Sequence, residues 1–209
     1  HGLADLAKAR ALLALVRELE GPDFRVYLQP RGGLDYFSHH EDKAKAQLAA
    51  VSAMMDDIDT QSQNGPDIIH VVSWSEGIRL ADPDVVNESL RITRAALTGY
   101  RALKRERGGF AWEEEVRERT RLLLSEARIL IAAMEKTIPD TYGPSGLYRM
   151  LKDGFFALPF LSELRDEFAA AASMRTAPLN GGVALVDAEG KTISAAERVI
   201  MAESGRLHA

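Results

Sequence analysis

Apolar residues recur at helical spacing through most of this 209-residue chain, and in two short stretches they run almost continuously. Spacings of three and four residues place apolar side chains on one helix face, whereas short β-branched runs between turn residues are typical of strands. The pattern predicts helices over about residues 3–19, 42–55, 83–105, 111–136, 145–153, 162–172 and 195–202. We expect the two longest helices to pack against each other as an antiparallel pair.

Two strands are predicted, over Asp23–Gln29 and Asp67–Trp74, and a hairpin is predicted over about 181–194. Each strand is followed by a polar or glycine-bearing turn and then by a helical pattern, as in the β/α repeats of parallel-sheet enzymes. The apolar centre of the second strand, Ile68–Val72, predicts burial on both faces. The predicted fold class is therefore α/β, with β/α units in residues 1–106 and a mostly helical region with the hairpin in 107–209.

Composition narrows the classes of function. The formal net charge of −5 gives no electrostatic reason to expect nucleic acid or an anionic membrane as a partner. The absence of cysteine excludes disulfides, thiolate zinc sites, iron–sulfur clusters and cysteine nucleophiles. No apolar run approaches the roughly 20 residues of a membrane-spanning helix. We therefore expect a cytoplasmic protein.

Candidate chemistry is sparse. The run from Gln29 to Gly33 resembles a phosphate-approaching loop, but it lacks the third glycine and the helix start of a dinucleotide fingerprint, so an ordinary turn is favoured. His39 and His40 lie next to two acidic residues, yet adjacent side chains diverge and no further histidine follows at ligand spacing, so no metal site is predicted. His70, within an apolar strand, is expected to be a packed, hydrogen-bonded histidine rather than a catalyst.

Glu76 is the most informative single residue. It follows the second predicted strand, at the end where parallel sheets expose functional groups. Its carboxylate could hold a ribose hydroxyl or act in acid–base chemistry, or it could cap the next helix. The residues alone favour neither role.

The order of these segments resembles a known family. A strand ending in a glycine-rich turn (Arg31-Gly32-Gly33-Leu34) is followed by an acidic, alanine-rich helix (Glu41 to Met55), and a later strand leads to a loop glutamate (Glu76). Two long helices and a Gly-to-Pro-Phe element (Gly154 to Phe160) follow in matching order. The chain is similar to the carboxyl-terminal part of the large catalytic subunit of coenzyme B12-dependent glutamate mutase (methylaspartate mutase).

The resemblance implies a specific architecture and cofactor. It implies the last units of a (β/α)8 barrel that closes over adenosylcobalamin, which is delivered by a small cobalamin-binding subunit. The implied reaction is the radical rearrangement of glutamate to 3-methylaspartate, in which the cofactor supplies the difficult chemistry. By the same resemblance Gly33, Leu34, Glu76 and Leu80 are expected to contact the cofactor, with Glu76 at the adenosyl ribose.

The chain also departs from the family pattern. Ile68 and Val72 stand where the family has lysines, and the barrel strands that carry the substrate arginines and the catalytic glutamate are missing. Three interpretations follow. The chain is one part of a split mutase with a partner that carries the missing strands, or it is a degenerate binding or scaffold homologue, or it is an unrelated α/β protein. We favour the split mutase.

Overall fold

A computed structural model describes residues 2–32, 37–62, 64–108, 112–160 and 162–206. The described chain combines helices with a small sheet, and helix is the dominant element. In chain order the elements are α1 (Leu3–Arg17), α2 (Glu41–Met55), α3 (Pro83–Arg107), α4 (Glu113–Thr137), α5 (Pro144–Lys152), a 3₁₀ helix (Ser162–Leu164), α6 (Ala169–Ala172), β1 (Arg175–Leu179), β2 (Gly182–Val186) and α7 (Ala195–Arg206).

Most of the predicted helices are confirmed to within a few residues. The exception is the helix predicted over 162–172, which is a 3₁₀ turn and a four-residue α6 separated by turns. The apolar residues of this stretch are too few and too interrupted to bury a continuous helical face. None of the helices in the described ranges is both long and apolar enough to cross a membrane.

The chain divides into two compact units, residues 1–120 and 121–209, and the boundary along the sequence falls within α4. In the first unit α2 packs along α3, and α1 contributes Leu6 and Leu13 to the buried core. Further buried side chains of this unit are Phe37, Leu48, Val51, Met55, Val72, Trp74, Val85 and Val116.

Helix α3 begins as its sequence predicts. Asp82 is the N-cap, and its carboxylate accepts a hydrogen bond from the Val85 amide at 2.9 Å, with Pro83 at the first helical position. Within the first unit α3 packs on α2, a contact that the sequence did not predict. The buried face of α3 includes Ser89 and Thr93. Because these side chains are polar, the spacing of apolar residues does not reveal this face.

The two predicted parallel strands are wrong as strands, although the segments do run side by side. The Ile68 amide donates to the Leu28 carbonyl at 3.2 Å, and the His70 amide donates to the Pro30 carbonyl at 3.1 Å. A parallel ladder would need the amide of residue 30 to bond back to residue 68, and proline has no N–H. The pairing is therefore limited to one parallel bridge, between Arg31 and His70.

The predicted burial of the second segment on both faces is also wrong. Ile68 is 51% exposed, and His70 is exposed instead of packed. Only toward the end of the segment, from Val72 to Trp74, are the side chains buried. The described residues place no further strand beside this segment, so its apolar centre has no sheet to cover it.

The second unit has its own core, built from α4, α5 and α7. Met134 of α4 and Ile138, the residue that follows α4, pack with Met150 of α5, Phe155 and Ala202 of α7. The hairpin predicted over about 181–194 is confirmed in part: its two arms are joined by one antiparallel bridge, and a longer hairpin precedes it in the chain. The two-stranded antiparallel sheet pairs β1 with β2 around Asn180-Gly181, both of which have positive φ.

An Asn-Gly pair with two positive φ values is the turn that matches the twist of a two-residue hairpin. The predicted second arm is not a full strand. It pairs with β2 through one bridge, between Val186 and Thr192, and in the turn between them the Asp187 amide donates to the Lys191 carbonyl at 2.9 Å. The prediction therefore found the second half of this region and missed the first.

Candidate functional site

The loops that follow the two paired segments meet in the first unit. Gly32 is buried, and a Cβ added to it would lie 3.3 Å from Val51 and 3.5 Å from Val72. A side chain at this position would have to displace Val51 by a few tenths of an ångström, so the lack of a Cβ favours this close approach. Gly77, in the second loop, approaches the Phe37 carbonyl oxygen so closely that an added Cβ would lie 3.2 Å from it.

A side-chain hydrogen bond joins the same two loops. Nδ1 of His39 lies 2.5 Å from the carbonyl oxygen of Gly77. The imidazole is exposed, so the bond lies at the surface of the unit. The chain just before α2 is thus in direct contact, at Phe37 and His39, with the turn that bears Glu76.

Glu76 lies in a tight turn whose bonds are mostly internal. Its Oε1 accepts a hydrogen bond from the Ser73 amide at 3.3 Å, and the Ile78 and Arg79 amides donate to the Ser75 carbonyl at 2.7 and 2.8 Å. The Ser75 hydroxyl closes the turn by donating to the Arg79 carbonyl at 3.0 Å. Because Asp82 caps α3, the interpretation of Glu76 as the cap of the next helix is wrong.

The turn is anchored to the helices beneath it through Trp74. The indole is buried, its Nε1–H donates to Oε2 of Glu88 at 2.9 Å, and the Trp74 amide donates to the Ser89 hydroxyl at 3.2 Å. Nζ of Lys45, on α2, lies 4.7 Å from the ring centroid and 2.7 Å from Oε1 of Glu88. The hydrogen bond from Lys45 lowers the pKa of the Glu88 carboxyl. Trp74 therefore ties the turn to both α2 and α3.

The predicted cofactor-contacting residues divide into two groups. Gly33 and Leu34 lie outside the described residues. Glu76 is exposed and Leu80 is 94% exposed, and together with Gly77, Ile78, Arg79 and Ala81 they line an open depression of about 620 Å³. A carboxylate and an apolar side chain thus share one exposed surface.

Among the described residues no group of three or more His, Asp or Glu side chains is placed to hold a metal ion. His39 bonds to Gly77, and His70 lies 3.4 Å from the Gln29 amide nitrogen. His70 is thus hydrogen-bonded, as expected, although it is not packed.

A second, largely apolar cleft of about 590 Å³ lies between α1, the first extended segment and α2. Its walls include Leu12 and Leu13 of α1, Tyr27 and Leu28 of the segment, and Met54 of α2. Tyr27 is 70% exposed, so this side of the segment is uncovered among the described residues.

Sequence reasoning missed a row of buried aspartates after α2. Asp56, Asp57 and Asp59 are almost fully buried, and each meets a cation from another helix. Arg101 bonds to Asp56, Lys104 bonds to Asp57, and Arg17 donates two hydrogen bonds to Asp59. Tyr100 also donates to Asp57, and desolvation together with that bond raises the pKa of its phenol.

These pairs tie α1 and α3 to the end of α2. The signal in the sequence is the apolar-acidic run at 54–59, in which carboxylates occupy positions next to core residues. Because buried carboxylates require partners, such a run predicts cations on the neighbouring helices. The cluster is therefore a structural support within the first unit.

Comparison of the chain with protein-family models, with curated proteins and with solved structures gave no significant match. Three features of the described residues bear on function: two contacting loops, an exposed carboxylate and an incompletely covered pair of extended segments.

Proposed function

We propose that this chain is part of an adenosylcobalamin-dependent carbon-skeleton mutase of the glutamate mutase type. It contributes the last β/α units of a (β/α)8 barrel, and a partner chain contributes the missing strands and the substrate site. A small cobalamin-binding subunit delivers the cofactor. The substrate is an amino acid, glutamate, which is converted to 3-methylaspartate.

The observation that carries the proposal is the open pair of parallel segments. Parallel pairs are normally buried within larger sheets, because helices cover both faces. Here the only bridge between segments 23–31 and 67–74 is the one at Arg31 and His70, and the described residues provide no second neighbour for either. An unpartnered parallel pair is a surface onto which further strands can add.

Exposed apolar side chains on these segments support the same conclusion. Phe24, Tyr27 and Ile68 are 47%, 70% and 51% exposed. Covering a side chain of this size contributes about 1.5–3 kcal/mol. Strands from a partner chain would bury them and complete the sheet.

The turn that bears Glu76 suits one part of the proposed cofactor. One oxygen of the carboxylate accepts from the Ser73 amide, and the side chain is exposed, so the carboxylate can also accept a hydrogen bond from a ribose hydroxyl. Leu80 offers apolar surface beside it. When bound, the cofactor supplies the radical chemistry, and this chain binds and orients it.

A second candidate function is a binding or scaffold homologue without catalytic activity. It is favoured by Ile68 and Val72, which occupy the places of the family's lysines. The two candidates make opposite predictions for cofactor dependence in the assembled complex.

The test combines the chain with a candidate partner chain and the small cobalamin-binding subunit. Light scattering measures assembly, and glutamate consumption is measured against adenosylcobalamin concentration. We expect a hetero-oligomer with cofactor-dependent turnover, in which Glu76→Gln raises the KM for the cofactor about tenfold or more, since a hydrogen bond to a charged group is lost.

Glu106→Gln, the same change at an exposed position near the end of α3, is the matched control and should leave the KM unchanged. Assembly without cofactor-dependent turnover would favour the scaffold homologue. A chain that stays a stable monomer and is indifferent to cobalamin would exclude the split mutase.

A further inference from the structure

His39 lies in the loop after the first extended segment, two residues before α2 begins. Its Nδ1 is 2.5 Å from the carbonyl oxygen of Gly77, the residue next to Glu76. The sequence suggested only a metal-ligand role for His39, and no metal site was predicted there.

The partner atom decides where the imidazole carries its proton. A carbonyl oxygen only accepts hydrogen bonds, so Nδ1 must be the protonated nitrogen. A neutral imidazole has one N–H, and Nε2 is therefore left as an unprotonated acceptor. Since the side chain is exposed, this acceptor is accessible to a ligand.

The bond also positions the turn that bears Glu76. The backbones of the two loops touch where Gly77 meets the Phe37 carbonyl, and the His39 hydrogen bond spans the same contact. Trp74 holds the beginning of the turn from below, at Glu88 and Ser89. Among the described residues, no second side chain donates a hydrogen bond to the Gly77 carbonyl.

We propose that His39 is a positioning residue for Glu76 and that its Nε2 accepts a hydrogen bond from a hydroxyl or amide N–H of the ligand bound at these loops. The ligand contact rests on the proposed function, in which that ligand is adenosylcobalamin. The protonation of Nδ1 and the positioning of the turn by His39 do not depend on the proposed function.

The tautomer is tested first, on the full chain alone. Long-range ¹H–¹⁵N NMR at about pH 8 distinguishes the two neutral tautomers of each histidine. We expect His39 to carry its proton on Nδ1. His40 is the matched control, because it is an exposed neighbour whose imidazole bonds to no carbonyl among the described residues, and it should carry its proton mainly on Nε2, as free imidazole does. An Nε2–H tautomer at His39 would overturn the proposal.

Two substitutions separate positioning from ligand contact. In His39→Asn the side-chain amide replaces the Nδ1–H donor and removes the Nε2 acceptor, whereas His39→Leu removes both. The backbone amide resonances of Glu76 and Gly77 should stay in place in the asparagine variant and shift in the leucine variant. If the leucine variant leaves these resonances unmoved, His39 does not position the turn.

The ligand contact is tested in the assembled complex with adenosylcobalamin. His39→Asn should raise the KM for the cofactor about three- to tenfold with little change in kcat, as for one lost hydrogen bond. An unchanged KM would remove Nε2 from the site. If the complex shows no cofactor dependence while the tautomer and the resonances behave as expected, the proposed function fails and the positioning role stands.

Discussion

The indole Nε1–H of Trp74 donates a hydrogen bond to Oε2 of Glu88 across 2.9 Å, and this bond joins the turn that bears Glu76 to helix α3. Trp74 is 2% exposed, while the carboxyl group it contacts reaches the surface. A buried aromatic side chain with one satisfied polar atom is an effective anchor for a loop, since both packing and the hydrogen bond resist its displacement.

Truncation of this anchor should destabilise the first unit. We expect Trp74→Ala to lower the free energy of unfolding by about 3–5 kcal/mol through the cavity it creates. Trp74→Phe keeps an aromatic ring near Lys45 but removes the donor to Glu88, so it should cost less. Urea denaturation followed by circular dichroism measures both values. Equal losses in the two variants would show that packing of the ring contributes little.

Gly65 should be intolerant of a side chain for two separable reasons. Its φ is +71°, and a Cβ there would overlap the Asp56 carboxylate that Arg101 holds. We expect Gly65→Ala to cost about 1–3 kcal/mol in the same denaturation measurement. Gly108→Ala is the matched control, because Gly108 has φ +84° and open space around its Cβ position. The additional loss of unfolding free energy at Gly65, relative to Gly108, measures the overlap with Asp56. Equal losses in the two variants would contradict this overlap.

The Arg17–Asp59 pair predicts a dependence of stability on pH. The hydrogen bond from Arg17 lowers the pKa of the Asp59 carboxyl below its usual value of 3.8. A carboxyl whose folded-state pKa is depressed contributes stability above its unfolded-state pKa and loses it as pH falls through the folded-state value. Asp59→Asn should therefore cost about 1–3 kcal/mol at pH 7.

The difference between the wild type and Asp59→Asn should narrow as pH falls below about 4. Denaturation midpoints at pH 7, 5 and 3.5 measure it. A difference that stays constant over this range would mean that packing at Asp59, and not its charge, stabilises the unit.

The Asn180-Gly181 turn should control the sheet in the second unit. Asn180 has φ +48°, which asparagine and glycine tolerate and β-branched residues do not. We expect Asn180→Gly to change stability by less than about 1 kcal/mol and Asn180→Val to cost more than about 1 kcal/mol. Amide hydrogen exchange at the cross-strand pair Thr176 and Leu185 reports the sheet directly. Equal protection in the two variants would contradict the role of the turn.

Local signals in the sequence predicted most helices, because caps and apolar spacing act within a few residues. The start of α3 at Asp82-Pro83 is the clearest example. The Asn-Gly pair at residues 180 and 181 is an equally local signal for a hairpin, but the hairpin was predicted around the next turn along the chain. Where the determining contacts are short-range, the sequence is sufficient.

The candidate site was only partly predictable. Glu76 was singled out by its position after an apolar run, but the contact between Gly77 and His39 joins two loops 38 residues apart in the chain. The same holds for the buried aspartates, whose partners lie on other helices. No local pattern identifies which cation a carboxylate will meet.

By itself, the sequence determined most of the helices, the cap of α3 at Asp82 and the acidic, cysteine-free character of the chain. Tertiary structure decided whether the two apolar runs become strands. They lie side by side and parallel, but Pro30 lacks the amide that the ladder needs, and a single bridge joins them at Arg31 and His70. Strand formation requires partners distant in sequence, whereas a helix satisfies its own backbone, and for this reason the helices were predictable and the sheet was not.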